Sequence, residues 1–569
     1  MQNDKINEAL KAKEKYQTAV ESAYDYVEHF DLLETITNVG NDEVFTPRKT
    51  VTCMLDSLPE EVWHNPDYKW LNPATKNGVF EREIAIRLND GLKDIIPDEE
   101  TRKKHILQKM IYAYGQTKFT SNVARRTLYY CSQANRECDG IKDENDGHYV
   151  NGYAIGNGTW FCDSEGNIKT PKAEHWFDKK GICKFCGIKK DSNYNDPLQR
   201  EHYAYEFIHY DLTNLKHQIK HSFFEGETTM KFDIIIGNPP YQLSDGGGVN
   251  GKSSYPIYQK FIEKAIELKP RYLSMIVPSR WFAGGKGLDE FRNRFLNDEH
   301  VSLLEDYWNS KECFPNVDVA GGVCYFLWDR EKTTPLCRVN SHNYGRVFSS
   351  DRALNEFPIF VRDSIAVSVI HKVREKNNDD FTGCVSVRCP FGFETNYRGK
   401  DKIDNNHTIK YYSSKGVSFV SPEEITCGQE MIGKYKIMMS RATSEHANIP
   451  SSDGKYRIIS TLKILDKNEV CSDSYLIVYP TDDLNILKNV MDYMKTKLFR
   501  FLLQQSLTSI VMSKDKFCFV PLMDFSRQYT DQDLYNYFNL SQQEIDYIES
   551  LIKPVVGDEI PREDGELNE

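Results

Sequence analysis

The run FDIIIGNPPY (Phe232–Tyr241) constrains this chain more than any other segment. A short apolar run without alternation reads as a strand buried on both faces, as in parallel sheets covered by helices. It stops at a proline pair, where φ is fixed and two N–H donors are lost, so the strand cannot continue. Ligands of open α/β sheets bind beyond the carboxyl ends of the strands, which is where Asn238, Pro239, Pro240 and Tyr241 fall. That tetrapeptide suits a planar amine. The Asn238 side-chain oxygen and a proline-fixed carbonyl can each accept a hydrogen bond from one NH2 group, and Tyr241 offers a ring on which a base can stack.

The flanking periodicity agrees with a parallel sheet. Helix is predicted over Tyr258–Leu268 and Leu288–Leu296, strand over Tyr272–Val277, and a further apolar segment covers Gly322–Trp328. Upstream, VFTPRKTVTCMLDSL (Val44–Leu58) reads as a loop entering an amphipathic helix, and WLNPATKNGVFEREIAIR (Trp70–Arg87) as strand, tight loop and helix. Strand alternating with helix predicts a doubly wound, Rossmann-like α/β domain. Residues 1–42 predict a helical segment, with Ile6, Ala9, Leu10, Tyr16, Val20, Ala23 and Val27 close to one face. Residues 128–195, rich in Gly, Asn, Asp and Cys, read as an insert. Beyond residue 335 the pattern is irregular and β-rich, with helices near 484–505 and 541–552, which predicts an α+β domain over 336–556.

Composition narrows the function classes. The 569 residues are 40% hydrophobic and 27% charged, so a sizeable core is available and general disorder is excluded. No run approaches a membrane span, and the polar start MQNDKINEALKAKEKYQ lacks a signal-peptide core, so a soluble, cytoplasmic protein is expected. A net charge of −12 disfavours a general polyanion binder but leaves room for a local basic groove. The residues 557–569 form an acidic tail.

These motifs, in this order over 43–330, resemble the gamma-class (TaqI-like) N6-adenine DNA methyltransferases of restriction–modification systems. VFTP (Val44–Pro47) is similar to the family's amino-terminal cofactor motif, LNPATKNGVF (Leu71–Phe80) to its cofactor loop, and FDIIIGNPPY to its catalytic motif. IVPSRWF (Ile276–Phe282) and ECFPNVDVAGGVCYFLW (Glu312–Trp328) resemble the strand motif and late motif that follow. The resemblance implies a methyltransferase domain over 43–335, with S-adenosylmethionine held by Thr46, Pro47, Asn72, Pro73, Ala74, Gly78, Phe80 and Asn238. It implies that Asp211 contacts the cofactor's adenine, and that an adenine flipped from duplex DNA stacks between Tyr241 and Phe314. The residues 336–556 would then read the DNA target. Cleavage would belong to a separate restriction endonuclease or helicase subunit, since no nuclease segment is legible ahead of residue 43. Two departures stand out. The family usually carries an acid where Asn72 stands, and a Cys-Gly-Ser-like run where Thr75, Lys76 and Asn77 stand. It also often carries an acid after the next strand, where Gly115 and Gln116 stand. Rival readings are methylation at N4 of cytosine, a protein-glutamine methyltransferase, and a non-catalytic DNA-recognition subunit.

The insert adds a second constellation. Cys183 and Cys186 form a CxxC knuckle able to place two thiolates on one Zn²⁺, and Cys131 with Cys162 would complete four ligands of a structural zinc. Cys138 and His175 are the substitutes. In the carboxy-terminal third, Arg338, Arg346, Arg352, Arg362, Arg374, Arg388, Arg398, Lys434, Lys436 and Arg441 are candidates to follow phosphates while loops read bases.

Overall fold

The computed structural model describes residues 44–129, 134, 149–150, 153–154, 161, 163–171, 175–185, 203–224, 231–242, 256–283, 287–319, 321–343, 345–444, 450–507 and 511–555. The amino-terminal helical segment, Cys131, Cys138, Cys162, Cys186 and the acidic tail lie outside them. Two compact units divide the chain. One takes residues up to 277 together with 313–317 and 327–330, and the other takes 278–312, 318–326 and everything from 331.

The first unit opens on helix α1 (Arg48–Asp56), which buries Thr50, Val51, Met54 and Leu55 on one face. Strand β1 (Trp70–Thr75) and strand β2 (Ile111–Gly115) are buried along their whole length. They flank helices α2 (Val79–Gly91) and α3 (Glu99–His105), and α4 (Lys118–Tyr129) follows β2. Next come β3 (Ile168–Lys169), α5 (Leu212–Phe223), β4 (Ile234–Gly237), α6 (Tyr258–Glu267) and β5 (Tyr272–Pro278). The strands of this unit run in the order β5-β4-β1-β2-β3, every pair parallel. Total burial of β1, β2, β4 and β5 explains their near-continuous apolar sequences, since helices cover both faces. The register sets Trp70 against Ile111 on one side and Ile234 on the other. The direction of winding changes between β1 and β4. This switch point is where an open α/β sheet forms its ligand crevice.

In the second unit, helix α7 (Asp289–Leu296) precedes strand β6 (Val301–Tyr307), and the apolar strand β7 (Val323–Asp329) begins in this unit and ends in residues assigned to the first. Strand β8 (Cys337–Asn343) runs parallel to β6 and forms an antiparallel hairpin with β9 (Arg346–Arg352). A larger core gathers around helix α8 (Ser364–Lys376) and around β12 (Tyr435–Ser440), with β10 (Ile409–Ser413) and β11 (Gly416–Val420) lying ahead of the latter in the chain. Strand β12 pairs antiparallel with both β13 (Leu462–Leu465) and β15 (Tyr475–Thr481). Helices α9 (Leu484–Lys495) and α10 (Lys497–Gln504) bury Leu487, Val490, Met491, Met494, Phe499 and Phe501 in that core. Strands β10, β11 and β14 (Glu469–Cys471) form a second small sheet with a core of its own, including Phe391, Tyr411 and Val470. Among the described residues no helix is long and apolar enough to cross a membrane.

Candidate active site

Both loops that leave the switch point carry the polar groups singled out in the sequence. Asn238 follows β4 directly and is 2% exposed. Its Nδ2 donates to the Thr46 hydroxyl at 3.0 Å. Its Oδ1 is buried and accepts no hydrogen bond among the described residues. A buried acceptor left without a donor costs about 1–3 kcal/mol. Such a group persists where a ligand supplies the donor. Pro239 and Pro240 are buried beside it, and Tyr241 is half-buried, with the Tyr258 ring edge-on at 6.5 Å. The Tyr241 carbonyl accepts from the Ile257 amide at 3.1 Å, which fixes the end of the loop against the start of α6.

Helix α1 brackets two of these segments. Thr46 stands two residues ahead of it and holds Asn238, while Thr50 in its first turn donates to the Cys313 carbonyl at 2.8 Å. The next residue, Phe314, is buried, and its carbonyl accepts from the Val317 amide at 3.0 Å. One short helix therefore fixes the backbone next to Phe314 and the amide of Asn238 together.

The loop after β1 is built with little slack. Gly78 caps α2 at φ +80°, and a Cβ there would lie 2.9 Å from the Ala124 Cα, so only glycine fits. The Thr127 hydroxyl holds the Asn77 carbonyl at 2.8 Å, and the Asn77 Nδ2 donates to no partner among the described residues. Pro73, Ala74 and Phe80 are buried, Pro47 is half-buried, and the Lys76 ammonium donates to the Val44 carbonyl at 3.1 Å. Asn72 does not point an idle amide at a ligand. Its Nδ2 donates to Glu81 Oε1 at 2.9 Å, and its Oδ1 accepts from the Ala74 amide at 3.1 Å.

Glu81 is the residue that sequence reasoning missed. It stands in the first turn of α2, 1% exposed, directly beneath the loop. Burial pushes its carboxyl above the ordinary carboxylate range, and the hydrogen bond from Asn72 opposes that shift. The available signal was an acid on the face of α2 that also carries Ile84, Ala85 and Leu88. Asp211 is exposed and serves as the N-cap of α5, accepting from the Asn214 amide at 2.9 Å and the Asn214 Nδ2 at 3.0 Å. After β2, Gln116 is fully buried, and its amide donates to the Thr75 carbonyl at 3.0 Å.

Residues 109–314, which include the Asn-Pro-Pro-Tyr loop and end on Phe314, match the family described as Eco57I restriction-modification methylase. Over 305 residues the chain is 48% identical to a Mycoplasma pneumoniae protein described as an uncharacterized adenine-specific methylase, covering 52% of this chain and 69% of the relative. The chain belongs to this methylase family. It is an adenine-specific DNA methyltransferase of the restriction–modification type.

Among solved structures, the methylase aligns with the Type IIL restriction-modification enzyme MmeI in complex with DNA at 9% identity and a TM-score of 0.41, covering 85% of this chain and 68% of that one. With the ATP-dependent Type ISP enzyme LlaBIII bound to DNA, identity is 11% and the TM-score 0.43, over 84% and 38% of the two chains. The type IIG restriction endonuclease BpuSI gives 10% identity and a TM-score of 0.35, over 89% and 61%. The methylase thus spans well under half of the LlaBIII chain. Its architecture is read from its own strand order.

In the methylase's second unit, several of the basic residues expected to follow phosphates are engaged inside the protein. Arg362 grips Asp306 through two bonds of 2.6 Å each and donates to the Gly321 carbonyl at 2.8 Å. Arg352 is buried against the Phe360 ring, and burial pushes its guanidinium down to about 10. Lys436 is fully buried, donates to the Lys434 and Asp466 carbonyls at 2.8 and 3.1 Å, and is pushed down to about 8 by burial. These three are structural cations. Arg338, Arg346, Arg388 and Arg398 are exposed, with Arg338 paired to Asp351 and Arg388 to Asp473.

Proposed function

We propose that the methylase transfers a methyl group from S-adenosylmethionine to N6 of a specific adenine in duplex DNA, after flipping that base from the stack. The observation that carries this reading is Asn238 Oδ1, a buried acceptor at the switch point with no donor among the described residues, held in orientation by Thr46. It has the chemistry needed to accept a hydrogen bond from an exocyclic amine and raise electron density on its nitrogen. Tyr241 and Phe314 would sandwich the base, and flipping costs a few kcal/mol. Pro239 and Pro240 stiffen the loop, so that the amine is held in one geometry and positioning supplies much of the rate.

Bound S-adenosylmethionine would supply an electrophilic methyl on a sulfonium. The loop around it fits an amino-acid ligand: Asn77 offers a buried donor with no partner among the described residues, and the Glu81 carboxylate lies beneath Asn72. Thr46, Pro47, Pro73, Ala74, Gly78 and Phe80 would line the cofactor, and Asp211 would approach its adenine from the cap of α5. We assign the methyltransferase domain to 43–335 and DNA-target recognition to 336–556, where Arg346 and Arg398 are exposed and could follow phosphates. The insert 128–195 is read as a metal-held module, with Cys183 the expected ligand whose surroundings are described. Cleavage is left to a separate endonuclease or helicase subunit, and the methylase is read as a cytoplasmic protein encoded by a prokaryote or a phage.

Two measurements test this reading together. Calorimetry should detect binding of S-adenosylmethionine to the full chain, and methylation-aware sequencing of DNA from an expressing host should show N6-methyladenine at one sequence context. Absence of both would leave a DNA-recognition subunit without catalysis.

A further inference from the structure

Three metal-binding side chains converge in the first unit. His175, Cys183 and His209 each bring one donor atom within 4.8 Å of the other two. Cys183 is 1% exposed and His209 is fully buried. The two imidazoles meet edge-on, with ring centroids 4.6 Å apart and planes at 67°. That approach lets two rings aim a nitrogen at one point.

The local chain is shaped to present these groups. His175 and Cys183 sit on the two arms of a short hairpin, in which Phe177 bridges to Cys183 and the Lys184 amide donates to the Trp176 carbonyl at 2.9 Å. Asp178 closes the turn by accepting from the amides of Lys180 and Ile182 at 2.8 and 2.9 Å. His209 comes from outside the insert. It follows the 3-10 turn Tyr203–Ile208, whose Phe207 packs on Phe261 of α6 with centroids 6.0 Å apart. The hairpin and the sheet domain therefore each contribute donors to one cluster.

From this convergence we infer that His175, Cys183 and His209 bind a structural Zn²⁺ that staples the insert to the methyltransferase fold. Two imidazole nitrogens and one thiolate form a borderline-soft donor set that suits zinc. Bonds of about 2.0–2.3 Å set tetrahedral donors roughly 3.3–3.8 Å apart, so the cluster needs to contract by at most about 1–1.5 Å. Phe177 stacks on His175 and Phe185 lies against His209, so two aromatic rings pack directly on the imidazole donors. Two residues beyond His209, Asp211 caps α5, so the staple also fixes the start of that helix. The assignment stands on these three residues and is independent of Cys131, Cys162, Cys186 and of the methyl-transfer reading.

The test uses the full chain as purified. Elemental analysis should find about one Zn per chain, and X-ray absorption at the zinc edge should show both nitrogen and sulfur neighbours with imidazole scattering. His175→Ala and His209→Ala should each lose the metal, and limited proteolysis should then cut the insert faster. The absorption measurement needs no variant, so a misfolded His209→Ala protein does not blunt the test. A sulfur-only shell would overturn this assignment in favour of a cysteine cluster. So would a chain that neither carries zinc nor takes up Zn²⁺ or Co²⁺, or zinc retained by both histidine variants.

Discussion

Asn238 donates its Nδ2 to the Thr46 hydroxyl at 3.0 Å, joining two buried residues 192 positions apart in sequence. The bond ties the entry to α1 to the loop that follows β4, and it leaves Asn238 Oδ1 as a buried acceptor with no donor among the described residues. Thr46→Val keeps the side-chain shape and removes the bond. It should lower kcat by roughly ten- to a hundredfold, the equivalent of about 1–3 kcal/mol, with DNA affinity unchanged. Steady-state kinetics beside a DNA gel-shift assay check this, and unaltered kcat would dissociate Thr46 from catalysis.

Gly237→Ala tests the closeness of the two loops. An added Cβ would lie 2.4 Å from Asn72 Oδ1, an atom already committed to the Ala74 amide. The displaced Asn72 would pull on Glu81, and overpacking of this kind costs about 1–3 kcal/mol. Thermal melting should fall and calorimetric affinity for S-adenosylmethionine should drop. A variant with wild-type values of both would show that Asn72 has room to move.

The Glu81 carboxyl gives a pH signature. Its folded value is raised by burial, so it favours the folded state fully below the unfolded carboxylate range. That contribution is lost as pH rises from about 4.3 through the folded value. Glu81→Gln should therefore melt higher than the wild type at neutral pH and lose that advantage in acid. The same variant should bind S-adenosylmethionine more weakly, because the loop loses its buried acid. Parallel melting curves across pH and a binding titration measure both effects, and a pH-independent difference would contradict the assignment.

Arg362 distinguishes a structural cation from a DNA contact. Asp306 is fully buried and takes both oxygens' bonds from Arg362, with the Ser279 hydroxyl donating to one of them at 2.9 Å. Removing the guanidinium would leave a buried carboxylate uncompensated, so Arg362→Ala should destabilise the second unit by about 3–5 kcal/mol. Urea unfolding reads that loss. The salt slope of DNA binding by the remaining folded protein should not change, whereas a lost phosphate contact would lower it by about one.

The Asn-Pro-Pro-Tyr loop and the sheet were legible because their signals are local. A continuous apolar strand ended by Pro239 and Pro240 has few readings, and β4, α6 and β5 fall within a residue or two of the ranges read from periodicity. Gly78 was legible for the same reason, as a turn glycine between strand and helix. Glu81 was not, because an acid in a first helical turn ordinarily faces water, and only the fold reveals that this face packs beneath the loop. The cations of the second unit misled in the opposite direction. Arg352, Arg362 and Lys436 resemble phosphate contacts in sequence, but partners within the fold hold them inside. His209 lies 26 positions beyond Cys183 and outside the insert, so the CxxC spacing gave no hint that the two come together.

The central claim is that Asn238 presents the amine of an adenine for methylation. Purified full-length protein should be incubated with S-adenosylmethionine and genomic DNA lacking N6-methyladenine, and the nucleosides then measured by mass spectrometry. The account predicts N6-methyladenine from the wild type, and at least a hundredfold less from Asn238→Ala at undiminished DNA binding. Full activity in that variant, or N4-methylcytosine as the wild-type product, would contradict it.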